Sequence, residues 1–168
     1  SKHPIVTNMD GIKFEFANPI EPLKNDINKT VLLTSSKYSK LIGTPSEINL
    51  NMVEERPEQK EFAGGGNYPV AVLLEGKFHS AFENRVLAFN DNTFKPVGKD
   101  NKMIVISDGD VIKNQLDKNF QPLELGYDKW TNNLYANKEF LMNCVNYLLD
   151  DNGLINIRSK EVNLPMLD

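Results

Sequence analysis

The apolar residues of this chain fall mainly into short runs separated by polar stretches, and these runs predict β-strands. Residues 12–16 alternate apolar and polar positions, which is typical of a half-buried strand. Residues 30–34 and 69–74 are short runs rich in β-formers. Residues 103–107 are apolar up to the final serine, which is typical of a strand covered on both faces. Weaker patterns predict short strands at 48–52 and 154–157.

The period of the apolar pattern changes towards the C-terminal end, where it predicts a helix. Four residues recur at the spacing of one helix face: Leu141, Cys144, Val145 and Leu148. Asn137 is a favourable N-cap for this helix, and Asn152-Gly153 is a typical stop signal. We expect Leu141, Val145 and Leu148 to form its core face. A shorter helix is predicted to begin at Val111.

Buried strands followed by helices predict an α/β domain, with a mixed, partly parallel sheet layered with helices. Residues 54–66 combine charges, a proline and a glycine run at 64–66, and they predict a mobile loop. The glycine run has no Gly-Lys-Ser/Thr ending, so a phosphate-binding loop is not indicated. Glu75-Gly76 predicts a turn after the strand at 69–74.

Length, net charge and cysteine count limit the classes of protein to which this chain can belong. A chain of 168 residues can form one domain with a substantial core. The net charge of −4 argues against a nucleic-acid partner and against binding to an anionic membrane. The single cysteine excludes an intrachain disulfide, and no apolar run reaches the roughly 18 residues of a membrane span. We expect residues 1–168 to be a single domain of a longer protein, with any anchor or targeting signal outside them.

Asp108 and Asp110 are the first candidates for site chemistry. They follow the strand predicted at 103–107, and ligands of open α/β sheets bind beyond the carboxyl ends of strands. Two carboxylates there could ligate Mg²⁺ or Ca²⁺. The structural alternative is an Asp-Gly turn in which an aspartate caps the next helix. We favour the capping role, because the neighbouring sequence offers no third or fourth oxygen ligand, and we predict no metal site.

Three aromatic residues, Tyr127, Trp130 and Tyr135, form an aromatic and polar patch before the main helix. They are candidates for contact with a partner, although packing over the sheet is the alternative that we favour. Cys144 lies on the apolar stripe of the predicted helix, where a buried, unreactive thiol is expected. The sequence shows no nucleophile–base pair and no zinc-ligand set, so we predict neither an enzyme nor a cofactor.

Several segments together carry a resemblance to a known family. Residues 69–78 resemble a strand and Gly-Lys-Phe turn of GldG-like gliding-motility proteins, and residues 105–110 are similar to a strand and Asp-x-Asp segment of ABC-transporter auxiliary domains. Residues 137–149 with 154–158 resemble the family's Asn-led helix, which ends in Tyr-Leu-Leu and is followed by an Ile-x-Ile-Arg strand. The likeness runs, with gaps, over nearly the whole chain.

The resemblance implies a fragment of a class I glutamine amidotransferase-like (flavodoxin-like) fold without its catalytic residues. It implies a non-catalytic extracytoplasmic domain of a protein anchored in the inner membrane and facing the periplasm. The implied partners are the ATPase and permease subunits of an ABC transporter and other envelope proteins, in gliding motility or envelope transport. Two alternatives remain: a domain that binds a small, sugar-like solute for the transporter, and a metal-dependent hydrolase using Asp108 and Asp110.

Overall fold

The computed structural model describes residues 2–53, 57–86 and 93–150. Within these residues, two small sheets and one α-helix make up a mixed α/β structure. The strands are β1 (Asn28–Thr34), β2 (Pro69–His79), β3 (Val97–Ile106), β4 (Tyr127–Asp128) and β5 (Asn133–Leu134), and the helix is α1 (Asn137–Leu149). Single 3₁₀ turns occur at Leu50–Val53, Gln59–Phe62 and Gly109–Ile112.

The main sheet has the order β1-β2-β3, and both strand pairs are antiparallel. The central strand β2 has a neighbouring strand on each edge. Its residues 70–73 are all buried, and because consecutive side chains point to opposite faces, both faces of the sheet are covered along this stretch. The strands predicted at 30–34, 69–74 and 103–107 are therefore confirmed. The turn predicted at Glu75-Gly76 is wrong, because β2 continues through both residues, which pair with Lys102 and Asn101 of β3.

The predicted parallel pairing is wrong for the described strands. Parallel neighbours need a crossover connection, usually a helix. The described part of the link between β1 and β2 contains only 3₁₀ turns, and the chain returns antiparallel to β1. The α/β class stands in this coarser form, as two antiparallel sheets and one helix.

Strand β3 lies at an edge of the sheet, which corrects the prediction that it is covered on both faces. Met103 and Val105 alternate with the half-buried Ile104 and Ile106, and Met103 is 47% exposed. A continuous apolar run thus occurs here in a strand that has exposed side chains on one face and, among the described strands, a neighbour on one edge only. The pattern measures the hydrophobicity of the strand, but it does not show whether a second layer covers it.

Two other predicted strands are absent from the described structure. Residues 12–16 have no strand partner, and residues 48–52 run into the 3₁₀ turn Leu50–Val53. The predictions at 154–157 and at Asn152-Gly153 lie outside the described residues. The loop predicted at 54–66 is described from residue 57 onward, where it contains the 3₁₀ turn Gln59–Phe62.

The core lies between one face of the main sheet and helix α1. It consists of Ile5, Leu32, Ala71, Leu73, Val111, Phe140 and Cys144. Ile5 brings the N-terminal segment into this layer, and its carbonyl oxygen accepts a hydrogen bond from Asn143 Nδ2 at 3.1 Å. Tyr147 Oη also ties the helix to the sheet by donating to Glu75 Oε1 at 2.8 Å.

The core face of α1 differs from the predicted one. Phe140 and Cys144 are buried and Leu141 is half-buried, whereas Val145 is 50% exposed and Leu148 is 38% exposed. The expectation for Val145 and Leu148 is therefore wrong. The spacing located the apolar side of the helix, but the sheet covers a sector centred nearer to Phe140. No helix in the described part of the chain is long and apolar enough to cross a membrane.

Candidate functional site

The segment Gly11 to Glu15, which we call the strap, is held to the body of the domain by polar side chains. Asn137 contributes most, because its Oδ1 accepts from Lys13 N at 2.9 Å and its Nδ2 donates to Lys13 O at 2.9 Å. The same Nδ2 donates to Val111 O at 3.2 Å. An alternating segment that looked like a strand is thus paired with an asparagine amide instead of a neighbouring strand.

Asn137 is therefore not the N-cap of α1. It is the first helical residue and is 4% exposed, and Ala136 occupies the cap position without a side-chain hydrogen bond. The backbone N–H of Ala136 donates to Gly11 O at 3.0 Å. Ala136 and Asn137, at the start of the helix, are therefore both hydrogen-bonded to the strap.

Asp108 caps the 3₁₀ turn that follows β3 and also holds the strap. Its Oδ1 accepts from Asp110 N at 2.8 Å, and its Oδ2 accepts from Glu15 N at 2.6 Å. Asp110 faces another way and lies 3.4 Å from Lys113 Nζ. The carboxylates thus serve separate partners, and among the described residues no group of three or more His, Cys, Asp or Glu side chains could hold a metal ion.

Lys13 and Asp128 form a partly buried ion pair beneath the strap. Lys13 Nζ lies 3.1 Å from Asp128 Oδ1 and 2.7 Å from Glu15 Oε1. Burial lowers the pKa of Lys13, but hydrogen bonds to Glu15 and Asp128 outweigh this effect and raise the pKa above its ordinary value. A hydrogen bond from Thr131 lowers the pKa of Asp128 to about 2, against the effect of burial and together with the bond from Lys13.

Asp128 also shapes the loop that displays Trp130 between β4 and β5. Its Oδ1 accepts from Trp130 N at 3.3 Å and its Oδ2 accepts from Thr131 Oγ1 at 2.7 Å. The Trp130 side chain is 82% exposed, with Lys129 Nζ 5.3 Å from its ring centroid. Trp130 is therefore largely accessible to solvent, whereas Tyr127 and Tyr135 are both half-buried.

A second loop displays Phe120 in the same way. Asp117 Oδ1 accepts from Asn119 N at 2.7 Å and from Gln121 N at 2.8 Å, which closes a tight turn. Phe120 lies at its tip with φ of +61° and is 81% exposed. A phenylalanine in the left-handed region is an outlier that the surrounding structure must impose. The Asp117-x-Asn119 spacing signals a turn in the sequence, but it did not single out Phe120.

The two loops meet at an open groove of ≈ 470 Å³, which we call the aromatic groove. Its lining is Glu15, Asp110, Lys113, Asn114, Gln115, Leu116, Asp117, Phe120, Lys129 and Trp130. Gln115 links the loops, since its Oε1 accepts from Lys129 N at 2.9 Å and its backbone oxygen accepts from Leu123 N at 2.8 Å. Each aromatic residue is thus held by a loop that is fixed at its base.

The structure brings together some of the predicted site residues and separates others. Asp110 and Trp130 line the aromatic groove, and Tyr127 lines a small hollow that shares Asp110 with it. Asp108 is linked to the groove indirectly, through the Glu15 backbone that it binds. Tyr135 lines neither cavity, and its backbone N–H donates to Gly126 O at 2.9 Å.

The lining of the aromatic groove combines amides, carboxylates, lysines and apolar groups. A mixture of polar and apolar side chains is usual in binding surfaces. Cys144 is 5% exposed in the core, and burial raises the pKa of its thiol to about 12. The thiol therefore stays protonated and out of reach of a substrate at neutral pH.

Comparison with known proteins shows a family to which most of the chain is similar. The model of a family described as an ABC-type uncharacterized transport system matches residues 1–144, which include both loops and the strap. No curated protein and no solved structure shows a significant match to the chain.

Proposed function

Because the chain belongs to the family described as an ABC-type uncharacterized transport system, we propose that it is a non-catalytic accessory domain that binds another transporter component through the aromatic groove. The family supports an auxiliary role in ABC transport and contact with transporter components. The geometry of the aromatic groove supports it as the surface that makes this contact.

The observation that carries the proposal is the pair of exposed aromatic side chains on one groove. Trp130 and Phe120 are each more than four-fifths exposed, and each is held by an aspartate-closed loop. Exposing these rings to water is unfavourable for the isolated domain. Aromatic residues held in this way are typical anchors of protein interfaces, where they fill pockets of the partner.

The charges around the groove support a protein partner of mixed polarity. Lys113 and Lys129 lie on it together with the carboxylates of Glu15, Asp110 and Asp117, so neither sign dominates. A polar rim of both signs around apolar anchors is the usual composition of a protein interface. A nucleic acid or an anionic membrane would require a basic excess, which the net charge of −4 does not provide.

The proposed setting is extracytoplasmic, on a protein anchored in the inner membrane and facing the periplasm. The resemblance to GldG-like gliding-motility proteins supports this setting, because those proteins are thought to work with an ABC ATPase and a permease in the envelope. The partner surface is then an extracytoplasmic segment of the permease or of another envelope protein. Transport linked to gliding is the process in which the complex would act.

A pull-down of the full-length protein from native membranes tests the proposal. The tagged protein should recover transporter subunits, identified by mass spectrometry, and the double variant Trp130→Ala with Phe120→Ala should lose most of this recovery. Truncating interface anchors typically costs about 2 kcal/mol or more each. Phe82→Ala is the matched control, because Phe82 is 58% exposed and does not line the groove.

Two outcomes would overturn the proposal. Either the double variant recovers the same subunits as the wild type, or Phe82→Ala loses them to the same extent. Circular dichroism of each variant checks that the fold is retained. Retention is expected, because both rings lie largely outside the core.

A further inference from the structure

A second cavity, which we call the polar groove, lies at the end of the main sheet where β1 finishes and β2 begins. It has a volume of ≈ 510 Å³ and is bounded by residues 10–19, by the loop after β1 and by the start of β2. It shares no lining residue with the aromatic groove. Small-molecule sites commonly occupy about 300–1,000 Å³, so the polar groove is large enough to hold a small solute.

The walls of the polar groove are fixed by backbone contacts. Ser35 N donates to Tyr68 O at 2.8 Å, and Tyr68 N donates to Ser35 Oγ at 3.1 Å. On the other wall, Ile20 N donates to Pro69 O at 2.7 Å. Gly66, with φ of +55°, lies so close to this loop that a Cβ atom there would come within 2.0 Å of Ser36 O. The cavity is therefore formed before any ligand binds.

Four polar side chains on these walls have no partner within the described parts of the chain. They are the carboxylate of Asp10 and the hydroxyls of Thr34, Ser39 and Tyr68. Lys40 also lines the groove, but its ammonium group is paired with Glu61. The residues that line the groove therefore include three with hydroxyl groups and one with a carboxylate that have no partner in the described parts of the chain, beside apolar residues such as Phe14 and Val70.

This set of groups selects one class of ligand. A hydroxyl can both donate and accept, whereas a carboxylate accepts only, so the set matches a solute with several hydroxyl groups. A phosphate or carboxylate ligand would be repelled by Asp10, and the lysine that could offset the repulsion is already paired. A cationic ligand would be attracted by the single carboxylate, but the three hydroxyls would have no specific role in binding it.

From this arrangement we infer that the polar groove is a binding site for a neutral, hydroxyl-rich solute of about monosaccharide size. Asp10 and Tyr68 bind its hydroxyl groups, and Phe14 and Val70 contact its apolar faces. Such a site gives the transport-associated chain a ligand as well as a protein partner. It is independent of the aromatic groove, so either proposal can fail without the other.

Saturation-transfer NMR and calorimetry on the intact protein test this inference. The probes are glucose, galactose and N-acetylglucosamine, with inorganic phosphate and putrescine as anionic and cationic comparators. We expect binding of at least one sugar and neither comparator. Tyr68→Phe should raise the Kd for the bound sugar roughly 2- to 12-fold, which corresponds to the free energy of one hydrogen bond. Asp10→Asn should weaken binding as well.

Tyr38→Phe is the matched control, because Tyr38 is 62% exposed and lies outside the groove. It should leave the Kd unchanged. Tyr68→Phe and Asp10→Asn preserve side-chain shape and remove groups that have no partner among the described residues, so both variants should stay folded and a change in Kd reports on binding. The inference is overturned if no sugar binds, if phosphate or putrescine binds in preference, or if sugar binding is unaffected by both substitutions.

Discussion

At the scale of single residues, Asp128 both stabilises the fold and positions the loop that carries Trp130 in the aromatic groove. It is 5% exposed and accepts hydrogen bonds from Thr131 and the Trp130 backbone while pairing with Lys13. These contacts favour its charged form, and they hold the strap and the Trp130 loop together. A change in its charge should therefore affect folding and the aromatic groove together.

The lowered pKa of Asp128 predicts a specific dependence of stability on pH. Its carboxyl has a pKa of about 2 in the folded chain and an ordinary value of 3.8. The unfolded chain therefore binds this proton first as the pH falls. The stability that the carboxylate contributes is complete above about pH 4 and is lost as the pH falls through the window from about 4 to 2.

Urea unfolding at several pH values checks this prediction with Asp128→Asn, which should be less stable than wild type at pH 7. The difference between the two proteins should shrink between pH 4 and pH 2. Asp100→Asn is the control, because Asp100 is exposed and has no side-chain partner within the described residues. A difference that stays constant over this window would mean that the Asp128 charge does not contribute to folding.

At the scale of elements, α1 shows why an apolar pattern fixes a helix better than it fixes the helix's buried face. Leu141 and Cys144 belong to both the predicted and the observed face. Phe140 and Tyr147 complete the observed face, and the N-terminal segment contacts it through Ile5. Tertiary packing decides which side of the helix is covered by the sheet. In the sequence, the exposed Val145 therefore cannot be told from a buried valine.

Two substitutions in α1 should give opposite results. Phe140→Ala removes a side chain that is 0% exposed and should destabilise the fold by about 3–5 kcal/mol. Val145→Ala changes a half-exposed position and should alter stability by no more than about 0.5 kcal/mol. The free energy of unfolding from urea titration measures both. Equal losses would indicate that the face containing Val145 is also buried.

At the scale of the whole molecule, the polar side chains of distant segments hold the layers together. Asp108, Asn137 and Asp128 come from three separate parts of the chain, and all three bind the strap. Their oxygens and nitrogens are occupied by backbone groups, by Lys13 and by the Thr131 hydroxyl. This arrangement assigns the candidate aspartate at 108 to structure, while the aromatic groove and the polar groove are left open for ligands.

The response of the whole fold to divalent cations distinguishes the capping role of Asp108 from a metal-dependent hydrolase. A bound ion would stabilise the folded state by about 2.7 kcal/mol at a hundredfold excess over its Kd, which raises Tm by several degrees. Because both Asp108 oxygens accept backbone hydrogen bonds, we expect Tm to move by less than about one degree in millimolar Mg²⁺ or Ca²⁺. A shift of several degrees that disappears in Asp108→Asn would contradict the capping role.

The sequence by itself determined the elements whose stability is local or strongly apolar. The hydrophobic period predicted the strands at 30–34, 69–74 and 103–107, the helix from Asn137 and the burial of Cys144. Turn chemistry predicted the cap at Asp108. The family resemblance also came from sequence, and the family match to residues 1–144 supports it at the level of an ABC-transport auxiliary protein.

Only the tertiary structure decided which segments pair, which faces are covered and which side chains meet. Residues 12–16 alternate like a strand, yet the backbone of Lys13 is bonded by the Asn137 side chain, 124 positions away along the chain, and that of Glu15 by Asp108. Phe120 and Trp130 line one groove because two aspartate-closed loops fold towards each other, and Asp10 and Tyr68 line another. Sequence patterns report the local preference of each segment, whereas these sites depend on contacts between distant segments, which packing alone selects.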